Sequence, residues 1–258
     1  MVSHARSYGD GLGEGANSVL GKTRLILEAF ELDDMDLSLS ELSRRTGISK
    51  ASVHRLAQEL LDWGMLERSG QEYRLGMRAF ELGSRVPRFR VLRDAARPFM
   101  ESLHFSTKEV VHLAVRDGRE VLFLEKIASR PDAAKPSRIA GRLPIHCTST
   151  GKVFLAFSPP EILEDVLSGD LQRMTRSTTV APGLLVGQIK KARANGYALE
   201  QEEVVQGYCS VGVPIFSSGR ILLAALSITA PTFRADVPRF AQALLQTSAR
   251  LSSSTLIN

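Results

Sequence analysis

The chain has 258 residues, 43% of them hydrophobic and 24% charged, with a formal net charge of +5. That is long enough for two domains with full cores, and no run approaches the roughly 18 apolar residues needed to cross a bilayer. Two cysteines, Cys147 and Cys209, supply neither a disulfide framework nor a paired metal-ligand spacing, so a reduced, cytoplasmic location without membrane contact is expected.

Residues 1–16 are polar and glycine-rich and read as a disordered tail rather than a signal peptide. Over 17–32, Val19, Leu20, Leu25, Ile26, Leu27 and Phe30 form a dense apolar pattern that predicts a first helix. Ser38-Leu39-Ser40-Glu41 is a capping box, so a second helix is expected from about Leu39 until Gly47 ends it. Ser49 caps a third helix running to about Trp63, with Gly64 as its stop. Along that helix Val53, Leu56, Ala57, Leu60 and Leu61 form one apolar stripe, and the opposite face is small and basic at its start and acidic at its end. Leu66–Arg68 and Tyr73–Leu75 then alternate as two short strands about a Ser-Gly-Gln-Glu turn.

The charges of this region are sorted. Its first ninety residues carry as many acidic as basic side chains, yet Glu31, Asp33, Asp34 and Asp36 cluster together while Arg44, Arg45, Lys50 and Arg55 fall together. A solvated helix pair would explain any one of these signals. Capping box, glycine turn, split-charge helix and basic hairpin in one order favour a winged helix-turn-helix. On that reading Ser49, Lys50, Ser52, His54 and Arg55 lie in or beside the major groove of double-stranded DNA, and Arg44, Arg45, Arg68 and Arg74 contact phosphates.

The stretch "LSLSELSRRTGISKASVHRLAQELLDWGMLERSGQEYRLG" (37–76) resembles the DNA-binding domain of the IclR family of bacterial transcriptional regulators, and the resemblance extends over about residues 17–252. It implies a ligand-responsive regulator that binds a palindromic operator as a homodimer or a dimer of dimers. The implied organisation is a winged helix-turn-helix domain at 17–76, a helical linker and dimerisation region at 77–107, and a GAF-like effector-binding domain at 108–258.

The remaining elements agree with an α+β chain. Residues 77–107 read as a helix, a break near Pro87 and another helix. Two strands about Asp117-Gly118 form a hairpin, and a second hairpin turns at 217–220. Helices are expected at 150–157, 160–167, 183–195 and 235–252, so the domain is built on an antiparallel sheet. Matching landmarks in the family are "GRLPIHCTSTGKVFLAF" (141–157), "TRSTTV" (175–180) and "NGYALEQEEVVQGYCSVGVPI" (195–215).

Thr148-Ser149-Thr150-Gly151-Lys152 opens a helix. Its free N–H groups and hydroxyls suit a small carboxylate as well as they suit simple capping. By the resemblance, an effector pocket is lined by Leu143, Ser149, Thr150, Glu200, Tyr208, Cys209, Ser210, Ser227 and Thr229, with a small organic or aromatic acid as effector. Two departures separate the chain from the common family pattern: Glu200-Gln201-Glu202-Glu203 stands where Asp-Asp-Glu-Glu is usual, and Cys209 falls one place early, with Ser210 in the usual cysteine position.

Other chemistries are disfavoured, and no cofactor is expected. "LGKTRL" lacks the upstream glycine and the strand of a P-loop. Glu200, Glu202, Glu203, His112 and His146 show no metal-ligand spacing. Ser149 near His146 lacks the strained turn of a serine nucleophile, so a small-molecule hydrolase using Ser149, His146 and Glu200 ranks behind a regulator, as does a helical protein-interaction module.

Overall fold

The structure, a computed structural model, describes residues 17–31, 34–129 and 137–253; the expected tail at 1–16 and Asp33 of the acidic cluster lie outside the described residues. The chain divides into two compact units at Pro87 and Arg88.

In the first unit, α1 (Val19–Glu28), α2 (Leu39–Thr46) and α3 (Lys50–Trp63) precede a two-stranded wing of β1 (Leu66–Ser69) and β2 (Glu72–Leu75), followed by α4 (Met77–Ser84). Local chemistry sets these limits. The Ser38 hydroxyl accepts from the Glu41 N–H at 3.2 Å, and Gly47 and Gly64 close α2 and α3 at φ of +69° and +78°, where a side chain would be strained. The reciprocal half of the capping box is absent, because the Glu41 carboxylate turns to Arg44 and Arg45 instead. The core joins Ile26, Leu42, Val53, Leu56, Leu60, Leu66 and Tyr73. The predicted stripe of α3 is thus its buried face, with Leu61 at its margin. Leu37 pairs with Tyr73 through two backbone bonds of 2.7 and 2.9 Å, which ties the wing to the approach to α2.

The second unit is built on a six-stranded antiparallel sheet in the order β5-β4-β3-β8-β7-β6. Its strands are β3 (Val110–Asp117), β4 (Glu120–Ile127), β5 (Arg142–Pro144), β6 (Ala198–Gln201), β7 (Tyr208–Phe216) and β8 (Leu222–Pro231). Both predicted hairpins are present. The edge strands β5 and β6 were not expected, since three or four residues are too few to show alternation. One face of the sheet packs on α5 (Pro87–Thr107) and α9 (Val237–Ser252) through Leu92, Met100, Leu113, Val213, Leu226 and Phe240. The other face carries α6 (Ser149–Phe157), α7 (Pro160–Leu167) and α8 (Pro182–Asn195), which pack with Phe123, Leu143, Ile145 and Ala225. The segment 77–107 is therefore shared: α4 falls in the first unit and most of α5 in the second. No helix is long and apolar enough to cross a membrane among the described residues.

A close backbone crossing joins α3 to the end of the wing. A Cβ on Gly76 would sit 2.2 Å from the Gly64 carbonyl oxygen, and Gly76 itself donates to the Met65 carbonyl at 2.8 Å. Gly76→Ala is expected to cost about 1–3 kcal/mol by overpacking. Urea denaturation followed by the fluorescence of Trp63, the only tryptophan, reads the first unit directly; an unchanged midpoint would show that the crossing relaxes freely.

Candidate nucleic-acid interface and ligand cavity

On α3, Lys50, Ala51, His54 and Arg55 are exposed around the first two turns. Ser49 caps the helix, its hydroxyl lying 3.4 Å from the Ser52 N–H and 3.1 Å from the Ser52 hydroxyl. Small side chains at 51 and 52 leave the helix start open to close approach. Arg55 donates to Glu59 at 2.7 Å, but both side chains are about 60% exposed, so a phosphate competes with this pair at little cost. Arg44 is likewise exposed and donates to Glu41 at 2.9 and 2.6 Å. The guanidinium groups of Arg44 and Arg45 hold Glu41 down to about 2.

Two of the expected phosphate contacts already hold carboxylates. Arg45 is only 24% exposed and donates to Asp34, Glu41 and the Ala29 carbonyl, so it fastens α2 to the end of α1. Arg74 donates to both oxygens of Asp36 at 2.8 and 3.1 Å and so fastens the wing. The acidic cluster is thus not segregated from the basic one. Asp34 pairs with the largely covered Arg45, and Asp36 with the half-exposed Arg74. Arg68, exposed on β1, lies 4.2 Å over the Tyr73 ring and remains a candidate phosphate contact.

In the second unit a cavity of about 440 Å³, counting its open mouth, lies between the sheet and the start of α6. Eight of the nine residues predicted there line it: Leu143, Ser149, Thr150, Glu200, Tyr208, Ser210, Ser227 and Thr229. Cys209 does not. Side chains alternate along β7, so Cys209 points with Val211 toward the α5 and α9 side. His112, Phe123, Ser137, Thr148, Val204 and Val205 also line the cavity. His112 carried a signal, being the one polar residue within an apolar strand run, but the short apolar turn 204–205 and the isolated Ser137 carried none.

The helix start is held against the sheet by a missing side chain. A Cβ on Gly212 would meet the Ser149 carbonyl carbon at 3.0 Å and the Thr150 nitrogen at 3.2 Å. Thr148 caps α6, its hydroxyl accepting from the Gly151 N–H at 3.0 Å. The Thr150 hydroxyl is buried with no hydrogen-bond partner among the described residues. A hydroxyl left unbonded in this way, beside the free amides and positive end of a helix, is suited to a ligand oxygen.

Polar side chains run across four strands on the same face. His112 on β3 bonds Ser137 at 2.7 Å through Nε2 and approaches Thr229 on β8 at 3.5 Å through Nδ1. Thr229 bonds Ser210 on β7 at 2.9 Å, and Ser210 stands opposite Glu200 of β6 in the strand register, where its hydroxyl favours the ionised carboxyl. Glu200 Oε1 also accepts from the N–H groups of Glu203 and Val204 at 2.6 and 3.2 Å. Burial pushes Glu200 up to about 7 despite these donors. Burial, with Lys126 nearby, pushes His112 down to about 3, so the imidazole stays neutral. The residues considered for a metal do not converge: no group of three or more His, Cys, Asp or Glu is placed to hold an ion among the described residues. His146 bonds the Gln172 carbonyl at 3.0 Å and stands outside the cavity lining.

The comparisons with known proteins agree with this geometry. Residues 19–70 match the model of the IclR helix-turn-helix domain, and residues 88–253 that of the bacterial transcriptional regulator IclR C-terminal domain. The chain is 33% identical over 233 residues to the HTH-type transcriptional regulator XynR of Escherichia coli, covering 88% of this chain and 92% of that one. It is 32% identical over 248 residues to KdgR of the same organism, covering 94% of each. A crystal structure of an IclR homolog from Microbacterium hydrocarbonoxydans, complexed with 4-hydroxybenzoate, superposes with a TM-score of 0.85 at 32% identity, covering 93% of this chain and 99% of that one. The matched domains and relatives are transcriptional regulators, not enzymes, and they give no support to a hydrolase or to a helical interaction module.

The buried imidazole has a stability signature. Between about 3 and the ordinary 6.5, the unfolded chain binds a proton that folded His112 refuses. Its contribution therefore makes stability fall as pH drops from 6.5 toward 3, by up to about 1.4 kcal/mol per pH unit. His112→Gln is expected to flatten that part of the curve, measured by urea denaturation with circular dichroism from pH 7 to pH 4.5. An identical slope in the variant would remove His112 as its source.

Proposed function

The chain belongs to the IclR family and is a DNA-binding transcriptional regulator with an effector-binding C-terminal domain; from that premise we propose that it binds a palindromic operator as a homodimer or dimer of dimers in the cytoplasm, under control of a small organic or aromatic acid. Lys50, His54 and Arg55 at the open start of α3 read the major groove, with Ser49 and Ser52 facing the backbone and Arg44 and Arg68 on phosphates. Two half-sites are needed because one winged helix contacts too few base pairs for useful specificity. Segment 77–107 links the domains and contributes to the dimer.

The observation that carries the effector reading is the first turn of α6, which opens into the cavity with the buried Thr150 hydroxyl unbonded among the described residues. A carboxylate placed there gains amide and hydroxyl donors together, and Leu143, Phe123 and Val204 offer an apolar wall for the rest of the ligand. The 4-hydroxybenzoate in the Microbacterium homolog supports an acid of that size for this chain as well. Binding shifts the population of domain arrangements, and hence operator affinity, by the difference in effector affinity between them.

Fluorescence anisotropy with DNA from the chain's own upstream intergenic region, against random duplex and across a salt series, tests the DNA arm. Adding small organic and aromatic acids, 4-hydroxybenzoate among them, to the same assay tests the effector arm. Arg55→Ala is expected to weaken native-fragment binding and flatten its salt dependence, because one positive charge leaves the groove between the phosphate strands. Arg45→Ala is expected to lower the melting temperature instead, through loss of the Asp34 and Glu41 pairs. Reversal of these two outcomes would count against the assignment of the basic residues.

A further inference from the structure

We propose that the cavity takes a carboxylate ligand together with one proton, and that the proton resides on Glu200, so that the pocket selects monoanionic acids. This rests on the acid-binding reading above and adds its charge rule. Glu200 stands in the same cavity wall system as the first turn of α6, so a bound acid and Glu200 place two carboxylates in one poorly hydrated space. Two like charges in such a space do not both stay ionised, and one takes up a proton. The ligand carboxylate has the helix amides and hydroxyl donors to keep it charged, whereas Glu200 is the group whose second oxygen can hold a proton. Its Oε1 is occupied by the N–H groups of Glu203 and Val204, and Ser210 bonds the carboxyl from β7.

The surrounding groups leave Glu200 without a cation of its own among the described residues. From the 202–207 turn comes Glu203, already ion-paired with the buried Lys152 of α6. Glu202 accepts from Thr232 at 3.4 Å. The buried Cys147 precedes α6, Cys209 lies on the opposite face of β7, Tyr208 lines the mouth, and His112 faces the cavity from β3. From α8, Arg193 donates to the Ala156 carbonyl at 2.6 Å, and Lys190 and Lys191 are exposed. Burial already displaces Glu200 upward, in the direction of holding that proton.

The proton also sets the direction of the four-strand chain. With Glu200 protonated, its O–H donates to Ser210, Ser210 to Thr229 and Thr229 to His112 Nδ1, which leaves the imidazole proton on Nε2 facing Ser137. With Glu200 ionised every donor reverses, and the imidazole proton moves to Nδ1. Glu200 thereby determines whether the hydroxyls on the cavity floor donate or accept.

Calorimetry of the full chain with 4-hydroxybenzoate, benzoate and pyruvate, at pH 6 and 8.5 and in buffers of different ionisation enthalpy, reads affinity and proton uptake together. The expected result is uptake of about one proton at pH 8.5, with affinity falling about tenfold per pH unit above 7. Glu200→Gln should abolish the uptake and bind the acid more tightly than the natural protein at pH 8.5, a gain that mere damage to the fold does not produce. 4-Hydroxybenzamide, the neutral counterpart, should bind without proton uptake. Acid binding that is independent of pH and takes up no proton would overturn the proposal and leave the acid-binding pocket standing. Binding of the amide but of no acid would overturn both. Nitrogen-15 spectra of His112 in the ligand-free protein give an independent reading: the tautomer should switch near pH 7 and be locked in Glu200→Gln, and a single tautomer across that range in the natural protein would contradict the relay.

Discussion

The contact of Gly212 with the first turn of α6 is the constraint on which the second unit depends. A helix start can face a ligand only if its amides are near the cavity and away from bulk water, and here β7 meets Ser149 and Thr150 so closely that a side chain on Gly212 would be crowded against them. The helix is then fixed from the other side by Val153, Phe154 and Leu155, buried against the sheet and α8. Most of the free energy lies in that apolar burial, at about 25 cal/mol per Å². The polar cavity is a small region left unfilled inside it, bounded by residues that the burial has already placed.

The polar chain from Glu200 to His112 shows how such a region stays compatible with folding. Unpaired polar groups away from water cost more than their hydrogen bonds return, and the register of β6, β7, β8 and β3 answers this by setting Glu200 opposite Ser210 and Ser210 opposite Thr229. Each group finds its partner on the next strand. Among the described residues the buried Thr150 hydroxyl lacks a partner, and it lines the cavity. An antiparallel sheet with helices on both faces can hold this arrangement because alternate residues belong to opposite layers, so hydroxyls on one side do not disturb the Val211, Val213 and Ile215 row on the other.

In the first unit the same balance is struck with charges. Arg45, largely covered, has its carboxylate in Asp34, and Arg74 has its own in Asp36, whereas Lys50, His54, Arg55 and Arg44 project from the surface, where water can solvate them. A sequence can show that acidic and basic residues alternate in blocks, but whether two blocks neutralise each other is decided by the fold. Asp36 and Arg74 are far apart in the chain and adjacent in space.

What the sequence determined by itself is whatever depends on neighbours a few residues away. Ser38, Gly47, Ser49 and Gly64 set the helix limits of the winged helix-turn-helix through capping and left-handed turns, and the stripe from Val53 to Leu60 identified the buried face of α3. Asp117-Gly118 marked the first hairpin, and the alternation of Ser227 with Thr229 placed both on one side of β8. The resemblance to the IclR family added eight residues that do line the cavity, and it carried Cys209 with them. Only the tertiary structure decided that Cys209 faces the other layer, that β5 and β6 exist, that His112 and Ser137 join the cavity, and that Arg45 and Arg74 pair with Asp34 and Asp36. Each of these is a pairing across the sheet or between distant segments, and such pairings come from long-range register and burial, which no local pattern of side chains encodes.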